Sequence, residues 1–345
     1  MADHPFRQNF VTAAEVGRHA RVSRSAVSRT FTPGASVSNA MRLRVTESAA
    51  TLGYRVNMLA QRLANARSHL VGILATEIAA PFHAELLDSL SAALLRDGFD
   101  CMLLNASNNE HEITALIARM LAYRVEAIVV MSGTPSSRIV EECLSKGVSV
   151  ILVNKPMAGV SADTVMADHA AGGRIAADRL IAAGCSKLAV ISSGARTSSL
   201  VNRLKAFRAR AARARLPVTI WDRGATTYEN GHAAAIALRD FAIDGAFCVT
   251  DLLALGFLDG MRFGNGRRVP EDVSVIGFDD VPQASWAANQ LTTFRQSASL
   301  LTDAVTSMLR ARALDPAISH QTVTIPVELV VRRTLRGSQP AGPSS

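Results

Sequence analysis

Continuous apolar runs alternate with amphipathic stretches from Leu70 to Phe278, and no other feature of the 345-residue chain restricts its fold as much. The runs are LVGILAT from Leu70, CMLL from Cys101, AIVVM from Ala127 and VSVILVN ending at Asn154. After them come LAVIS from Leu188, VTIW from Val218, FCV from Phe247 and VSVIGF ending at Phe278. The amphipathic segments predict helices over Phe82–Arg96, Ile113–Leu121, Arg138–Lys146, Ala170–Ala183, Ser198–Arg213 and Tyr228–Arg239, and one after Asp251. Runs of Val, Ile and Leu without alternation are strands buried on both faces, so the sheet they form is parallel and doubly wound. Two such units in tandem predict a bilobed α/β body with a ligand cleft at the strand C-termini.

The first 67 residues follow a different pattern. Thr12 with Glu15 three residues on has capping-box spacing, and Ala13, Val16 and Ala20 share one face, which predicts a helix over Ala13–Ala20. After a break at Arg21-Val22, Ser23 caps a second helix from Arg24 to about Phe31. Pro33-Gly34 ends it, and a third helix over Asn39–Leu52 stops at Gly53. Two short helices joined by a tight turn form a helix-turn-helix. Up to Arg67 there are ten arginines against Asp3, Glu15 and Glu47, a net +7 of the chain's +8. A basic module on a nearly neutral body is the footprint of a protein that docks one end onto a polyanion.

The string VTAAEVGRHARVSRSAVSRTF, followed by VSNAMRLRVTESAATLGYRVNMLAQRLA, resembles the LacI/GalR family of bacterial transcriptional repressors. The resemblance implies an all-α headpiece at 1–56, a hinge helix at 57–67 and a periplasmic-binding-protein-like effector and dimerisation body at 68–336, ahead of a flexible tail at 337–345. The first lobe would hold about 68–166 and 297–325, the second about 167–296 and 326–336. The chain would cross between lobes three times, with helix Ser299–Arg312 returning to the first. In that scheme Arg24, Ser25 and Arg29 read bases in the major groove, where each base pair shows a distinct donor and acceptor pattern. Thr12, Ser23, Ser28 and Asn57 hold the DNA backbone. Ser23 and Ser28 also read as a cap and a solvated surface. Leu63 would be a minor-groove wedge that unstacks a base step, or, paired with Leu59, an ordinary packing contact. Thr32 and Arg55-Val56 depart from the family's usual residues, which leaves individual backbone contacts open.

The same resemblance places an effector between the lobes. PFHAELLDSL sets Phe82 and His83 at the first-lobe rim, and Asn154 ends a strand beside them. Arg203 in RLKAF would be the main anchor, its fork binding vicinal hydroxyls or a carboxylate. Asp279 would accept from hydroxyls, with Trp286 and Phe294 as an apolar platform. In VTDLLALG, Thr250 stands where an asparagine is usual, and Asp251 reads equally as a ligand contact or as a helix N-cap. Asp280 reads as a turn residue. Arg203→Ala is expected to abolish the effector response and to spare DNA binding.

The expected function is that of a homodimeric, sequence-specific DNA-binding regulator, a repressor controlled by a small polar metabolite such as a sugar, acting on a palindromic operator. The alternatives are a sequence-independent nucleoid-type DNA binder, a solute-binding protein, or an enzyme on the same fold. No GxGxxG, GxxxxGK[ST] or GxSxG motif is present. Cys101, Cys143, Cys185 and Cys248 lie far apart without CxxC spacing, and the histidines lack HExxH spacing, so neither metal nor cofactor is expected. No run is long enough for a membrane helix and the tail lacks heptads, so the reading is a cytoplasmic protein without tetramer.

Overall fold

The structure is a computed structural model that describes residues 10–32, 34–56, 68–107, 109–157 and 159–337. The chain divides into two compact units at His69–Leu70.

The N-terminal unit holds three helices, α1 (Ala13–Ala20), α2 (Arg24–Thr30) and α3 (Asn39–Leu52). Thr12 and Glu15 complete the capping box reciprocally, and Ser23 and Ser38 cap the next two helices. Arg21 adopts a left-handed conformation (φ 55°) to end α1, and the Val22 amide donates to Gly17 O at 2.8 Å, which sets the turn between α1 and α2. Val16, Ala20, Val27, Val45 and Ala49 form the small core.

The C-terminal unit contains two six-stranded sheets. The first comprises β1 (Leu70–Thr76), β2 (Asp100–Ala106), β3 (Ala127–Val130), β4 (Ser149–Val153), β5 (Asp163–Ala167) and β11 (Thr322–Ile325), ordered β11-β5-β4-β3-β1-β2 with every pairing parallel. The second comprises β6 (Leu188–Ile191), β7 (Val218–Trp221), β8 (Gly245–Cys248), β9 (Ser274–Asp279), β10 (Thr292–Arg295) and β12 (Glu328–Val330), ordered β12-β10-β9-β8-β6-β7 with only β12 antiparallel. Helices α4 (Pro81–Arg96), α5 (Glu110–Ala122) and α6 (Ser137–Ser145) belong to the first sheet. Helices α7 (His169–Ala182), α8 (Ser198–Arg213), α9 (Tyr228–Ala237) and α10 (Asp251–Asp259) belong to the second. Helix α11 (Ala298–Leu314) returns to the first lobe, where Leu301 and Val305 pack with Leu86 and Leu90 of α4. The chain passes between sheets after β5, after β10 and between β11 and β12, the three crossings expected.

The long apolar strands and their helices fall within a few residues of the sequence reading. Four strands were not foreseen: β5, β10, β11 and β12 are short and rich in Thr, Asp and Glu, and the sheet rather than an apolar pattern makes them strands.

Candidate functional site

On α2 the apolar and polar faces separate cleanly. Ala26, Val27 and Thr30 are buried, whereas Arg24, Ser25, Ser28 and Arg29 are exposed on the opposite side. Ser23 is committed to the cap, and its Oγ lies 2.9 Å from Ser25 Oγ. The Thr12 hydroxyl is likewise used inside the capping box, donating to Glu15 Oε2 at 2.9 Å and accepting from the Glu15 amide. Asn57 and Leu63 lie outside the described residues.

In the C-terminal unit a cavity of about 150 Å³ opens between the lobes, lined from the first by Phe82, His83 and Asn154 and from the second by Arg203, Thr250 and Asp279. A single water needs only ~10–15 Å³ of such space, so the cavity has room for a small ligand. Strand ends supply the polar side chains. Asn154 follows β4 with φ 57°, and Asp279 closes β9 with φ 130°, both in the positive-φ region. Such conformations cost energy and cluster at ligand sites.

Arg203, one turn into α8, is 3% exposed. Its Nε donates to His169 Nδ1 at 3.2 Å, and its Nη1 donates to Val249 O and, at 3.5 Å, to Asp279 Oδ1. The guanidinium carbon stacks 3.5 Å above the Phe278 ring. Burial lowers its pKa to about 10, against the opposing pull of Asp279 and Asp251, so it remains charged at neutral pH. Burial first, and the charge of Arg203 second, hold His169 well below the usual histidine range. The ring is therefore neutral. Its Nε2 lies 3.1 Å from Asn154 Oδ1, which also accepts from the Ala167 amide.

Gln296 joins the two sides. Asn154 Nδ2 donates to Gln296 Oε1 at 3.5 Å, and Gln296 Nε2 donates to Asp279 Oδ1 at 2.6 Å. Nothing in the sequence marks Gln296 or His169 as a site residue, because only the tertiary fold gives each its partners. Lys155, with its pKa lowered by burial, and Ser198, whose Oγ donates to Asn154 O, also line the cavity unforeseen.

Three expectations need correction. Asp251 is fully buried and does not line the cavity: its Oδ1 accepts from Thr293 Oγ1 at 2.6 Å and its Oδ2 from the Val281 amide at 2.9 Å. It is not the cap either, since Thr250 accepts from Leu253 N and caps α10. Phe294 is buried against Phe278, and Trp286 is 58% exposed outside the cavity lining, so they form no platform there. Asp280 does hold the local geometry, through ion pairs with Arg332 at 2.6 Å and Arg295 at 2.8 Å.

Residues 177–335 match the family described as a periplasmic binding protein-like domain. Over a 345-residue alignment the sequence is 32% identical to the HTH-type transcriptional regulator CelR of Thermobifida fusca, spanning 95% of this chain and 98% of that protein. The chain belongs to the LacI/GalR family of transcriptional regulators. A CelR–cellobiose complex superposes with a TM-score of 0.69 at 27% identity, over 94% of this chain and 99% of that one. The Lac repressor dimer bound to operator and the anti-inducer ONPF shares the fold, with a TM-score of 0.85 at 22% identity over 95% of this chain and all of that one. This member of the family is thus a DNA-binding regulator. Among its described residues no helix is long and apolar enough to cross a membrane.

Proposed function

We propose that this LacI/GalR regulator is a homodimeric repressor that binds a palindromic operator through α2 and takes a small polar metabolite, a sugar or sugar derivative, in the cavity between its lobes. The observation that carries the reading is the convergence of Asn154, Arg203, Asp279 and Gln296 on one cavity of small-ligand size that both lobes line. The cellobiose complex of its relative supports a carbohydrate. On the DNA side Arg24, Ser25 and Arg29 are assigned to bases, and Ser28 and Asn57 to phosphates. Leu63 is assigned to the minor-groove wedge, so Leu63→Ala is expected to weaken operator binding and leave the body folded. Two headpieces on one palindrome gain affinity by effective concentration, which one headpiece with few phosphate contacts lacks. Effector that prefers one lobe angle over another biases the segment 57–67 that joins the units in sequence. The resulting coupling between effector and operator is reciprocal, typically ~1–3 kcal/mol.

Selection of bound sequences from a random duplex pool by the full-length protein at physiological salt tests this. Enrichment of a palindrome is expected, and the selected duplex then serves to screen sugars by release. A pool bound at low salt without enrichment would replace the reading with sequence-independent binding.

A further inference from the structure

The hydrogen bonds around the cavity close into a ring with a single allowed direction. Arg203 can only donate, and Asp279 Oδ1, which faces both Arg203 Nη1 and Gln296, accepts from both. Three groups between them are ambiguous by themselves: the His169 tautomer and the orientations of the Asn154 and Gln296 amides. Because Asp279 accepts, Gln296 must turn its NH2 to Asp279 and its oxygen to Asn154. Asn154 must then turn its NH2 to Gln296 and its oxygen to His169 and the Ala167 amide. His169 must carry its proton on Nε2, which leaves the Nδ1 lone pair for Arg203 Nε. The Ala167 amide fixes the Asn154 oxygen independently, and it agrees.

The ring draws on both lobes. Asn154 follows β4 of the first sheet, Arg203 and Asp279 belong to the second, and His169 and Gln296 stand at the first and second crossings. With this direction imposed, each amide retains one N–H proton and Arg203 retains Nη2, all unused in the ring, and these three residues line the cavity. A reversed ring would turn amide oxygens the other way. The direction therefore decides which chemistry the cleft offers.

We propose that His169 and Gln296 are positioning residues that lock Asn154, Gln296 and Arg203 with their spare donors available to the cavity, which makes the cleft selective for a ligand rich in oxygen acceptors. This rests on the cavity being the effector site. His169 touches no ligand itself; it acts through Arg203 and Asn154. The two longest links in the ring, Asn154 to Gln296 and Arg203 to Asp279, are each 3.5 Å. Those are the places where ligand oxygens can take over a donor without breaking the shorter bonds.

The test needs neither effector nor operator, so its failure is distinguishable from failure of the regulator reading. The ring nitrogens of the eight histidines are observed in a long-range proton–nitrogen spectrum of labelled full-length protein, with His169 assigned by its loss in His169→Gln. The expected result is an Nε2–H tautomer that stays uncharged below the ordinary histidine range. In Asp279→Asn the acceptor-only end is removed, and in Gln296→Leu the chain is interrupted. Arg203 Nε and the Asn154 oxygen held by the Ala167 amide keep that tautomer from both sides, so it should persist in both variants. The Asn154 side-chain NH2, which loses its acceptor, should instead shift and exchange faster with water in Gln296→Leu, an effect that mere packing at 296 does not produce. An Nδ1–H ring in the wild type, a charged ring at neutral pH, or an Asn154 NH2 signal unchanged in folded Gln296→Leu overturns the proposal. If Asp279→Asn fails to fold, Gln296→Leu and the wild-type spectrum still decide.

Discussion

Arg203 Nε donates to His169 Nδ1 across 3.2 Å, so one of the chain's most deeply buried cations is held partly by a neutral ring. This changes what removal of the arginine does. With Arg203 gone, Asp279 remains partly buried at the end of β9 with Gln296 as its remaining side-chain partner among the described residues, and the Phe278 ring loses its stacked guanidinium. Breaking a buried ion pair from one side typically costs ~3–5 kcal/mol. Arg203→Ala is therefore expected to destabilise the body by about that much, as well as to remove the proposed effector anchor, and urea denaturation monitored by circular dichroism measures it. An unchanged midpoint and slope would show that the guanidinium is held more loosely than its contacts indicate.

A second consequence concerns pH. Burial, and then the nearby Asp279, raise the Asp251 pKa to about 7 from its ordinary 3.8, and the two carboxylates titrate as a pair. The folded state holds this proton more tightly than the unfolded chain does. Its contribution to stability is thus fully present below about pH 4 and is lost as pH rises through about 7. In Asp251→Asn the amide oxygen can accept from the Val281 amide and the amide NH2 can donate to a reversed Thr293 hydroxyl, so both bonds survive without a charge. Relative to wild type, the variant should gain on the order of 2–4 kcal/mol between pH 4 and pH 8. Equal pH slopes for the two proteins in chemical denaturation would rule out a raised carboxylate at 251.

Much of this fold is legible in the sequence because two periodicities differ so clearly: uninterrupted strands such as Val150–Val153 cannot be mistaken for the amphipathic face of Ser198–Arg213. The crossing strands escape that reading. Thr292 and Thr293 are fully buried, yet nothing in TTFR marks them. The site divides in the same manner. Arg203, Asn154 and Asp279 sit in recognisable segments and do converge on one cavity. Asp251 sits in an equally recognisable segment but points the other way, because Thr250 takes the cap and turns the next side chain inward. A motif fixes backbone position, and the direction of a side chain at a helix start depends on which neighbour caps it.

Gly17 is a structural requirement of the headpiece. A Cβ added there would sit 2.9 Å from Val22 O, a backbone atom held in place by the Val22 amide bond to Gly17 O. The turn between α1 and α2 would have to open. Gly17→Ala is expected to destabilise the N-terminal unit by ~1–3 kcal/mol, as overpacking does. Hydrogen exchange checks it: amides of α1 and α2 should lose protection while those of the β1–β5 sheet keep theirs. Unchanged protection at Val22 and Ala26 would mean that the turn tolerates the extra carbon.

The exposed face of α2 gives a prediction that separates reading from holding. Arg24 stands at the first helical position with no ion pair among the described residues, free to reach a base edge. Truncation to Ala should cost ~1–3 kcal/mol on the selected operator and relax sequence preference at one position in each half-site. Arg29 lies more than one turn further along the same exposed surface, near the helix C-terminus, where a phosphate is as reachable as a base. If it holds phosphate, Arg29→Ala weakens all duplexes alike and lowers the slope of log affinity against log salt by ~1 for each headpiece engaged. If it reads a base, the slope stays near that of wild type and the loss is confined to the cognate sequence. Fluorescence anisotropy on cognate and scrambled duplexes across a salt series distinguishes the two, and a variant that binds both as the wild type does would remove Arg29 from the interface.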